Sequence, residues 1–262
     1  MPVTEFQKKV LGLLRAHRNP NSYVAGGIAI HRSESSLRFS NDIDFFHDTD
    51  IAVGEAATAD TDVLKRIGYK VEILLDQRSF IRAVASKDDT SLKLEWVRDT
   101  AFRFFPIVED PSLGYRLHDV DLAVNKCLAL ANRIEVRDIV DLIQMHTSVM
   151  SLAATCWAAC GKDPGFTPEF LIDCMQRHSV IRPEQLKSES LIREISPTDL
   201  KRDWLEILNP VTQLLREFPA VDLGCVYVTT DGSIVRAPTP TSISGKVRHF
   251  GSVGGCWPVV IE

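Results

Sequence analysis

Two aspartates spaced two positions apart, Asp42 and Asp44, are the residues of this chain best arranged to do chemistry. Side chains alternate between the faces of a β-strand, so these carboxylates share one face while Ile43 and Phe45 point to the core. Two aligned carboxylates can bridge a pair of divalent cations about 4 Å apart, an arrangement that supports the transfer of phosphoryl or nucleotidyl groups. Hard oxygen ligands suit Mg²⁺ or Mn²⁺ rather than zinc.

A pair of glycines, Gly26 and Gly27, precedes the aspartates. Residues 23–25 predict a short buried strand and residues 28–30 the start of a helix, which leaves the glycines in the turn between them. A turn without Cβ atoms lets backbone N–H groups approach a phosphate closely. Alone, the glycines could be only a loop and the aspartates only a solvated strand end. Their order and their apolar flanks favour a shared functional site.

A third carboxylate, Glu95, is predicted to complete the metal site. Apolar residues at positions 92, 94 and 96 share one strand face, and Lys93 and Glu95 share the other. A neighbouring strand can therefore present Glu95 beside the two aspartates, as a metal ligand or as the base that accepts a proton from an attacking hydroxyl. The alternative is an ordinary polar strand face.

A second group of candidate residues lies on two predicted helices further along the chain. A lysine on the buried side of a helix is uncommon and usually paired, so Lys126 could counter the charge of a bound triphosphate. Asp141 could orient this lysine or the nucleotide, and Arg137 is a further nucleotide-binding candidate. Arg137 and Asp138 could also form a structural pair. The alternative for the whole group is a set of amphipathic helices with solvated charges.

The periodicity of the chain predicts the elements that position these groups, and together they indicate an α+β (α/β) fold. We expect a helix over residues 4–17, a loop over 48–62 leading to a helix at 63–67, and strands at 71–75, 80–85 and 92–97, with a turn at Asp88-Asp89. Helices are predicted over 119–130, 137–147, 149–159 and 168–178, and a single helix from Ser196 through Leu215.

The last part of the chain has a different character. Strands at residues 226–228 and 233–235 flank Thr230-Asp231-Gly232, which is a hairpin signal, and an extended or poorly ordered tail is predicted from Ala237. The expected division is a core at 1–115, a helical domain at 116–200, and a C-terminal helix, hairpin and tail at 201–262.

Composition sets limits on the class of protein. Of 262 residues, 45% are hydrophobic and 25% charged, which is typical of a globular protein. The N-terminal segment lacks the apolar core of a signal peptide, residues 149–160 are too short to cross a bilayer, and six scattered cysteines fit a reducing compartment. These features predict a cytoplasmic protein without a membrane partner.

The net charge of −5 gives no overall attraction to nucleic acid, so a polynucleotide would need a local basic surface. The candidates for such a surface are Arg98, Arg103, Arg116, Lys126, Arg133 and Arg137.

Several motifs occur together and in a fixed order. They are Gly26-Gly27, residues 39–46 (Phe-Ser-Asn-Asp-Ile-Asp-Phe-Phe), the series Lys126, Arg133, Arg137, Asp138 and Asp141, and residues 162–167. Over residues 20–180 this series resembles the AbiEii/AbiGii toxin family of nucleotidyltransferases, which is similar in fold to polymerase β. The resemblance implies a nucleotidyltransferase core with a mixed sheet, followed by a helical domain and a small C-terminal hairpin and tail.

The resemblance also implies functional roles. Asp42 and Asp44 would hold Mg²⁺ or Mn²⁺, Gly26-Gly27 would hold the phosphates, and Lys126 and Asp141 would be the downstream functional pair. Members of the family are toxins of toxin–antitoxin or phage-defence pairs that use an NTP to modify a target, in some cases the tRNA 3′ end. The implied reaction moves an NMP from an NTP to a hydroxyl of tRNA or protein, and the implied partner is a cognate antitoxin.

This chain departs from the family pattern at two places. The family often has a hydroxyl residue after the glycines, whereas Ile28 and Ala29 follow here, and the segment from residue 201 is not part of the family core. The open alternatives are a catalytically degenerate module that binds nucleotide and a partner, and an Asp-x-Asp glycosyltransferase. Phe46 disfavours an Asp-x-Asp-x-Thr phosphatase.

Soft ligands occur in two pairs, each spaced by one helical turn: Cys156 with Cys160, and Cys174 with His178. The four could bind zinc. The alternative is that the cysteines are core residues of buried helices.

Overall fold

The computed structural model describes residues 3–33 and 36–259. Contacts group the chain into two compact units, Met1–Ala101 with Pro106–His118, and Phe102–Phe105 with Asp119–Glu262. The three-part division expected from the sequence stays a prediction.

The elements have the following bounds. The helices are α1 Glu5–Leu14, α2 Gly26–Ile30, α3 Asp50–Arg66, α4 Asp119–Asn132, α5 Val136–Ser148, α6 Leu152–Lys162, α7 Pro168–His178, α8 Pro183–Ser188, α9 Pro197–Leu208 and α10 Val211–Glu217. The strands are β1 Ser22–Ala25, β2 Asp42–His47, β3 Lys70–Gln77, β4 Phe80–Lys87, β5 Thr90–Arg98, β6 Phe102–Arg103, β7 Val108–Asp110, β8 Gly114–Arg116, β9 Cys225–Val228, β10 Val247–Phe250 and β11 Ser252–Val253.

A seven-stranded mixed sheet forms the centre of the first unit, with strand order β3-β4-β5-β2-β1-β8-β7. The pairs β2–β5 and β1–β8 are parallel, and the other pairs are antiparallel. The predicted mixed sheet and the strands predicted at residues 23–25, 71–75, 80–85 and 92–97 and around Asp42 and Asp44 are confirmed. Asp88 and Asp89, with φ of 49° and 60°, make the two-residue turn between β4 and β5, since a left-handed turn matches the twist of a hairpin.

Helix α3 corrects the prediction of a loop at residues 48–62. Thr49 caps the helix by accepting a hydrogen bond from the Ala52 amide. The buried residues Val53, Ala57 and Leu64 lie on the side of α3 that packs against the sheet. Alanine and one buried aspartate in this stripe make it only weakly apolar, so its helical period is hard to recognise.

A buried ion pair joins α3 to the underside of the central strands. The Arg18 guanidinium donates to both carboxylate oxygens of Asp60, at 2.7 and 2.6 Å, and both side chains are shielded from solvent. Trp96 Nε1 donates to the same carboxylate at 2.8 Å, and His17 Nδ1 lies 2.8 Å from it. Arg18 also stacks on Phe45, 4.1 Å from the ring centroid, and Phe45 stacks on Trp96. This cluster holds β2 and β5 together on the buried face of the sheet.

The second unit packs helices α4–α7, α9 and α10 around one hydrophobic core, to which β9 and part of the Phe102–Phe105 segment contribute. The carboxylate of Asp121 on α4 accepts hydrogen bonds from the Phe104 and Phe105 amides, at 2.8 and 3.1 Å. These bonds fasten the Phe102–Phe105 segment to the first turn of α4.

Three expectations about the end of the chain are wrong. The single helix predicted from Ser196 is broken between α9 and α10, because Pro210 lacks an amide hydrogen and disrupts a helix interior. The tail from Ala237 is not simply extended: β10 pairs with β9, β11 pairs with β6, and His249 bonds to the Phe104 carbonyl at 2.7 Å. The predicted turn at Thr230-Asp231-Gly232 is present, but residues 233–235 do not form the predicted strand. The two arms are joined by the single bridge Val228–Ile234 and by backbone hydrogen bonds from Thr229 to Ser233 and from Val235 to Tyr227.

Within the described residues, no single helix is both long and apolar enough to cross a membrane; only α5 and α6 together, which meet at 110°, satisfy the length and composition criteria.

The buried cluster leads to a stability prediction. Asp60→Asn removes the charge that faces Arg18 and should lower the free energy of unfolding by about 3–5 kcal/mol, because it leaves a buried cation uncompensated. Chemical denaturation measures this change. Asp62→Asn, at an exposed position of the same helix, is the matched control and should change stability by less than about 0.5 kcal/mol. Equal stability of the two variants would contradict the role assigned to the cluster.

A second prediction concerns pH. Burial raises the pKa of Asp121 to about 6, although the two amide hydrogen bonds oppose this rise. Because the folded chain holds this proton more tightly than the unfolded chain, the stability contribution of Asp121 is greatest at low pH and falls as pH rises from about 4 to about 6. The free energy of unfolding of the wild type minus that of Asp121→Asn should therefore fall by about 2–3 kcal/mol over this range.

The control for Asp121 is Asp199→Asn. The Ser196 hydroxyl and Arg202 lower the pKa of this exposed carboxyl, so its contribution is lost only towards acid pH. A flat difference for Asp121→Asn between pH 4 and 6.5 would refute the burial argument.

Candidate active site

Asp42, Asp44 and Glu95 lie on one face of the central sheet. In the parallel pair β2–β5, Asp42 is the Cα partner of Lys93, and Asp44 is the Cα partner of Glu95. Ile43 and the other alternate residues of β2 and β5 are buried on the opposite face, towards α1 and α3. The structure therefore brings the three predicted carboxylates together on adjacent strands.

The glycine turn, which in the structure forms the first residues of α2 rather than a segment before it, lies directly against Asp44. Gly26 has a φ of +65°, and a Cβ built on it would lie 1.8 Å from Asp44 Oδ2. The carboxylate thus occupies the space that any other side chain at position 26 would need. Ala25, at the end of β1, is the Cα partner of Asp44, so the sheet register itself places the turn at the carboxylate.

Two polar residues that the sequence analysis missed lie beside Gly27. A Cβ built on Gly27 would be 2.7 Å from Ser40 Oγ and 2.9 Å from the Arg38 guanidinium. The Ser40 hydroxyl donates to Asp42 Oδ1 at 3.1 Å, and Gln7 of α1 donates to the Ser40 carbonyl at 2.6 Å. Arg38 is buried and brings a positive charge to the turn. The alternation of Asp42 and Asp44 continues upstream to positions 40 and 38, and this continuation is the signal that could have found both residues.

Two cations bind the carboxylates from the same face. Lys93 Nζ lies 2.9 Å from Asp42 Oδ2 and 3.3 Å from Glu95 Oε1. Arg82 Nε of β4 lies 2.8 Å from the same Glu95 oxygen. Burial would lower the pKa of Lys93, but Asp42 and Glu95 together raise it, so the ammonium stays charged. Glu95 has two cationic partners here, and its roles as metal ligand or base stay predictions.

The described residues contain no group of three or more Asp, Glu, His or Cys arranged to hold a metal ion. Mg²⁺, however, is commonly bound through one or two carboxylates together with substrate phosphates and water. Asp42 and Asp44, on one face of β2 with Gly26 packed against Asp44, fit that mode of binding.

The second unit holds the other predicted group. Lys126 Nζ lies 2.9 Å from both Asp138 Oδ1 and Asp141 Oδ2, so the structure places Lys126 and Asp141 in direct contact. Arg133 also binds Asp138, at 2.7 Å. Burial raises the pKa of Asp138, but Lys126 and Arg133 outweigh it and the net shift is downward.

Two interpretations of this group are wrong. The group is not a set of solvated charges on amphipathic helices, because Lys126, Asp138 and Asp141 are buried. Arg137 does not pair with Asp138; it forms an ion pair with Glu135, at 3.9 Å. The reason is that Asp138 faces inward, towards α4, where Lys126 and Arg133 reach it. The nucleotide-binding role of Arg137 stays a prediction.

Of the six basic residues predicted to form a nucleic-acid-binding surface, several are buried or bound to carboxylates. Arg103 is buried, Lys126 is enclosed by its two carboxylates, and Arg116 binds Asp110 at 3.0 Å. Arg98 and Arg133 are about half exposed. A polynucleotide would therefore meet fewer positive charges than the sequence suggests.

The soft side chains of the second unit lie among core residues rather than around a shared centre. Cys156 Sγ is 3.8 Å from Cys127 Sγ and 3.9 Å from Met175 Sδ, and His178 Nδ1 bonds to the Leu130 carbonyl at 2.6 Å. Burial raises the pKa of Cys160 to about 12, so its thiol stays protonated. The four predicted zinc ligands are not gathered in the structure, and the core alternative describes the cysteines.

Comparison with known proteins reveals the fold. No family model matches the chain, and no curated protein does. Among solved structures, the nucleotidyltransferase toxin MenT4 from Mycobacterium tuberculosis H37Rv matches with a TM-score of 0.53 and 14% identity, covering 80% of this chain and 82% of that one. JHP933 from Helicobacter pylori matches with a TM-score of 0.51 and 15% identity, covering 82% of this chain and 95% of that one. At such identities the likeness shows the fold alone, and it confirms the predicted α+β nucleotidyltransferase fold.

The fit of the glycine turn against Asp44 can be tested without nucleotide or metal. Gly26→Ala should lower the free energy of unfolding by about 1–3 kcal/mol, because a positive φ and a clash with the carboxylate both oppose the new methyl group. Gly12→Ala, on α1 where a Cβ would meet nothing within 4 Å, is the control and should be neutral or stabilising by up to about 1 kcal/mol. Full stability of Gly26→Ala would mean that the turn and the carboxylate are not in contact.

Proposed function

We propose that this chain is a nucleotidyltransferase that moves an NMP from an NTP to a hydroxyl acceptor, with release of pyrophosphate. The single observation that carries the proposal is the contact between the Gly26 turn and the carboxylate of Asp44, with Asp42 on the same strand face. A phosphate-approaching turn beside two aligned carboxylates is the arrangement that this chemistry requires, and the fold is that of nucleotidyltransferases.

Each group has a role in the proposal. Asp42 and Asp44 would hold Mg²⁺ or Mn²⁺, which when bound supplies positive charge to the nucleotide phosphates. The backbone at Gly26 and Gly27 would approach the phosphates, and Arg38 would add a charge-assisted contact where the chain lacks a hydroxyl residue after the glycines. Ser40 would keep Asp42 oriented through its hydrogen bond.

The role of the Lys126 group is a separate part of the proposal. Lys126, oriented by Asp141, would balance charge on the triphosphate, as the sequence analysis predicts. Asp138 and Arg133 would fix the position of the lysine, since a lysine shared by two buried carboxylates has little freedom of movement.

We further propose that the chain is the toxin of a toxin–antitoxin or phage-defence pair, as in the AbiEii/AbiGii family, with a tRNA 3′ end or a protein as acceptor. The likeness to MenT4, itself described as a nucleotidyltransferase toxin, supports this role. Growth arrest on expression of the wild-type chain, relieved in Asp42→Asn, would be the expected result. Equal growth arrest with both would assign the toxicity to something other than transfer.

A second candidate function is nucleotide binding without transfer. The observation that favours it is the occupation of Asp42 and Glu95 by Lys93 and Arg82. No comparable observation favours the glycosyltransferase alternative, because the fold is a nucleotidyltransferase fold.

Labelled NTPs, tested one at a time with Mg²⁺, total tRNA and cell lysate, distinguish the two candidates. We expect the wild type to transfer label, and Asp42→Asn and Asp44→Asn to lose about two orders of magnitude in rate, because metal-held charge contributes several kcal/mol to such transition states. Asp62→Asn is the control with an exposed carboxylate and should retain full activity.

Binding measured by calorimetry completes the test. NTP binding without any transfer of label would favour the second candidate. Transfer that survives in both Asp42→Asn and Asp44→Asn, or NTP affinity equal to that of the wild type in the double variant, would contradict the site.

A further inference from the structure

Lys93 occupies the centre of the carboxylate face, and the sheet register puts it there. As the Cα partner of Asp42 in the parallel β2–β5 pair, it points from the same face. Its ammonium is shared between Asp42 Oδ2, at 2.9 Å, and Glu95 Oε1, at 3.3 Å. Carboxylates on neighbouring strands repel one another, and a cation shared between two of them reduces that repulsion.

Both carboxylates would keep contacts if Lys93 moved away. Glu95 would keep a cation, because Arg82 Nε binds the same oxygen at 2.8 Å. Asp42 would keep the hydrogen bond from the Ser40 hydroxyl. The Lys93 side chain is 35% exposed, and a flexible four-carbon stem can carry its ammonium into solvent.

We infer that Lys93 is the built-in counter-ion of this face, and that a divalent cation binds Asp42 only in competition with the Lys93 ammonium. The inference rests on the proposed function, because the same carboxylates are the metal ligands there. Lys93 thus acts as a positioning residue: it holds Asp42 and Glu95 in place before a cation arrives, and it sets the cation affinity of the site. Removing its charge should strengthen metal binding even though it removes two ion pairs.

The test is a titration of the full chain with Mn²⁺ in the absence of nucleotide, followed by electron paramagnetic resonance. Lys93→Met should bind Mn²⁺ about tenfold more tightly than the wild type, a change of about 1.4 kcal/mol. Lys93→Arg, which keeps the charge, should bind close to the wild-type value. Lys8→Met, which breaks an exposed ion pair with Glu5 on α1, is the control and should bind as the wild type does.

Thermal unfolding provides a second readout if Lys93→Met is unstable without metal. Lys93→Gln keeps a polar group of similar length, and both variants should show a lower melting temperature than the wild type without Mn²⁺ and a larger rise when Mn²⁺ is added. Mn²⁺ affinity in both neutral variants that is equal to or weaker than that of the wild type overturns the inference.

The failure of this inference can be told apart from the failure of the proposed function. If Asp44→Asn abolishes Mn²⁺ binding while the neutral Lys93 variants bind as the wild type does, the metal site stands and the competition is refuted. If neither the wild type nor the Lys93 variants bind Mn²⁺, or if binding is unchanged in Asp44→Asn, both the site and the inference are refuted.

Discussion

The stacking of Phe45 on Trp96 above the buried Arg18–Asp60 ion pair is the interaction on which the carboxylate site depends. Phe45 and Trp96 are Cα partners in the parallel β2–β5 pair, and Arg18 and Asp60 bind both of them from below. Because successive side chains alternate between faces, a slip of one residue in β2 would turn its aspartates towards the core and Phe45 away from it. The buried cluster makes that slip costly.

The packing on this buried face determines which side chains lie on the opposite face of the sheet. With Phe45 and Trp96 fixed, their neighbours Asp44 and Glu95 must share the opposite face, and β1 brings the glycine turn to Asp44. This geometry needs no long-range tether for Asp44 and Glu95, since each directly precedes a buried aromatic residue in its own strand. The contacts that stabilise the site therefore lie on the buried face of the sheet, opposite the face that carries the carboxylates.

The two units use the same electrostatic device. In each, a lysine is shared by two carboxylates: Lys93 by Asp42 and Glu95 in the first, and Lys126 by Asp138 and Asp141 in the second. A shared lysine keeps close carboxylates ionised and fixes their positions, at the expense of making each carboxylate less available to another cation. Lys126 is enclosed whereas Lys93 is one-third exposed, so the second arrangement is rigid and the first is able to exchange its cation.

The sequence predicted the parts of this molecule that depend on local patterns. The period of two around Asp42 and Glu95 predicted both strands and the face of each carboxylate. The turn at Asp88-Asp89 was also recognisable locally, because turn-forming residues lie between two predicted strands. The missed features depend on contacts between distant segments. Arg18 and Asp60 are 42 positions apart, and Asp60 lies in a helix whose buried stripe is only weakly apolar.

The end of the chain shows the same limit. The turn at residues 230–232 is a local signal and was found, whereas β9 pairs mainly with β10, which follows only after a long connection. Lys93 and Arg38 were within reach of local reasoning, because both continue an alternation already recognised in their segments. Their roles depend on the fold, which brings the Lys93 ammonium to both Asp42 and Glu95 and the Arg38 guanidinium beside Gly27.

Diffraction from crystals grown with Mn²⁺ and a non-hydrolysable NTP analogue tests the central claim most directly. The account predicts an anomalous peak for Mn²⁺ bound by Asp42 and Asp44, with the phosphates of the analogue against the backbone of Gly26 and Gly27. Nucleotide bound elsewhere on the chain, or an anomalous peak that does not involve these two carboxylates, would contradict it.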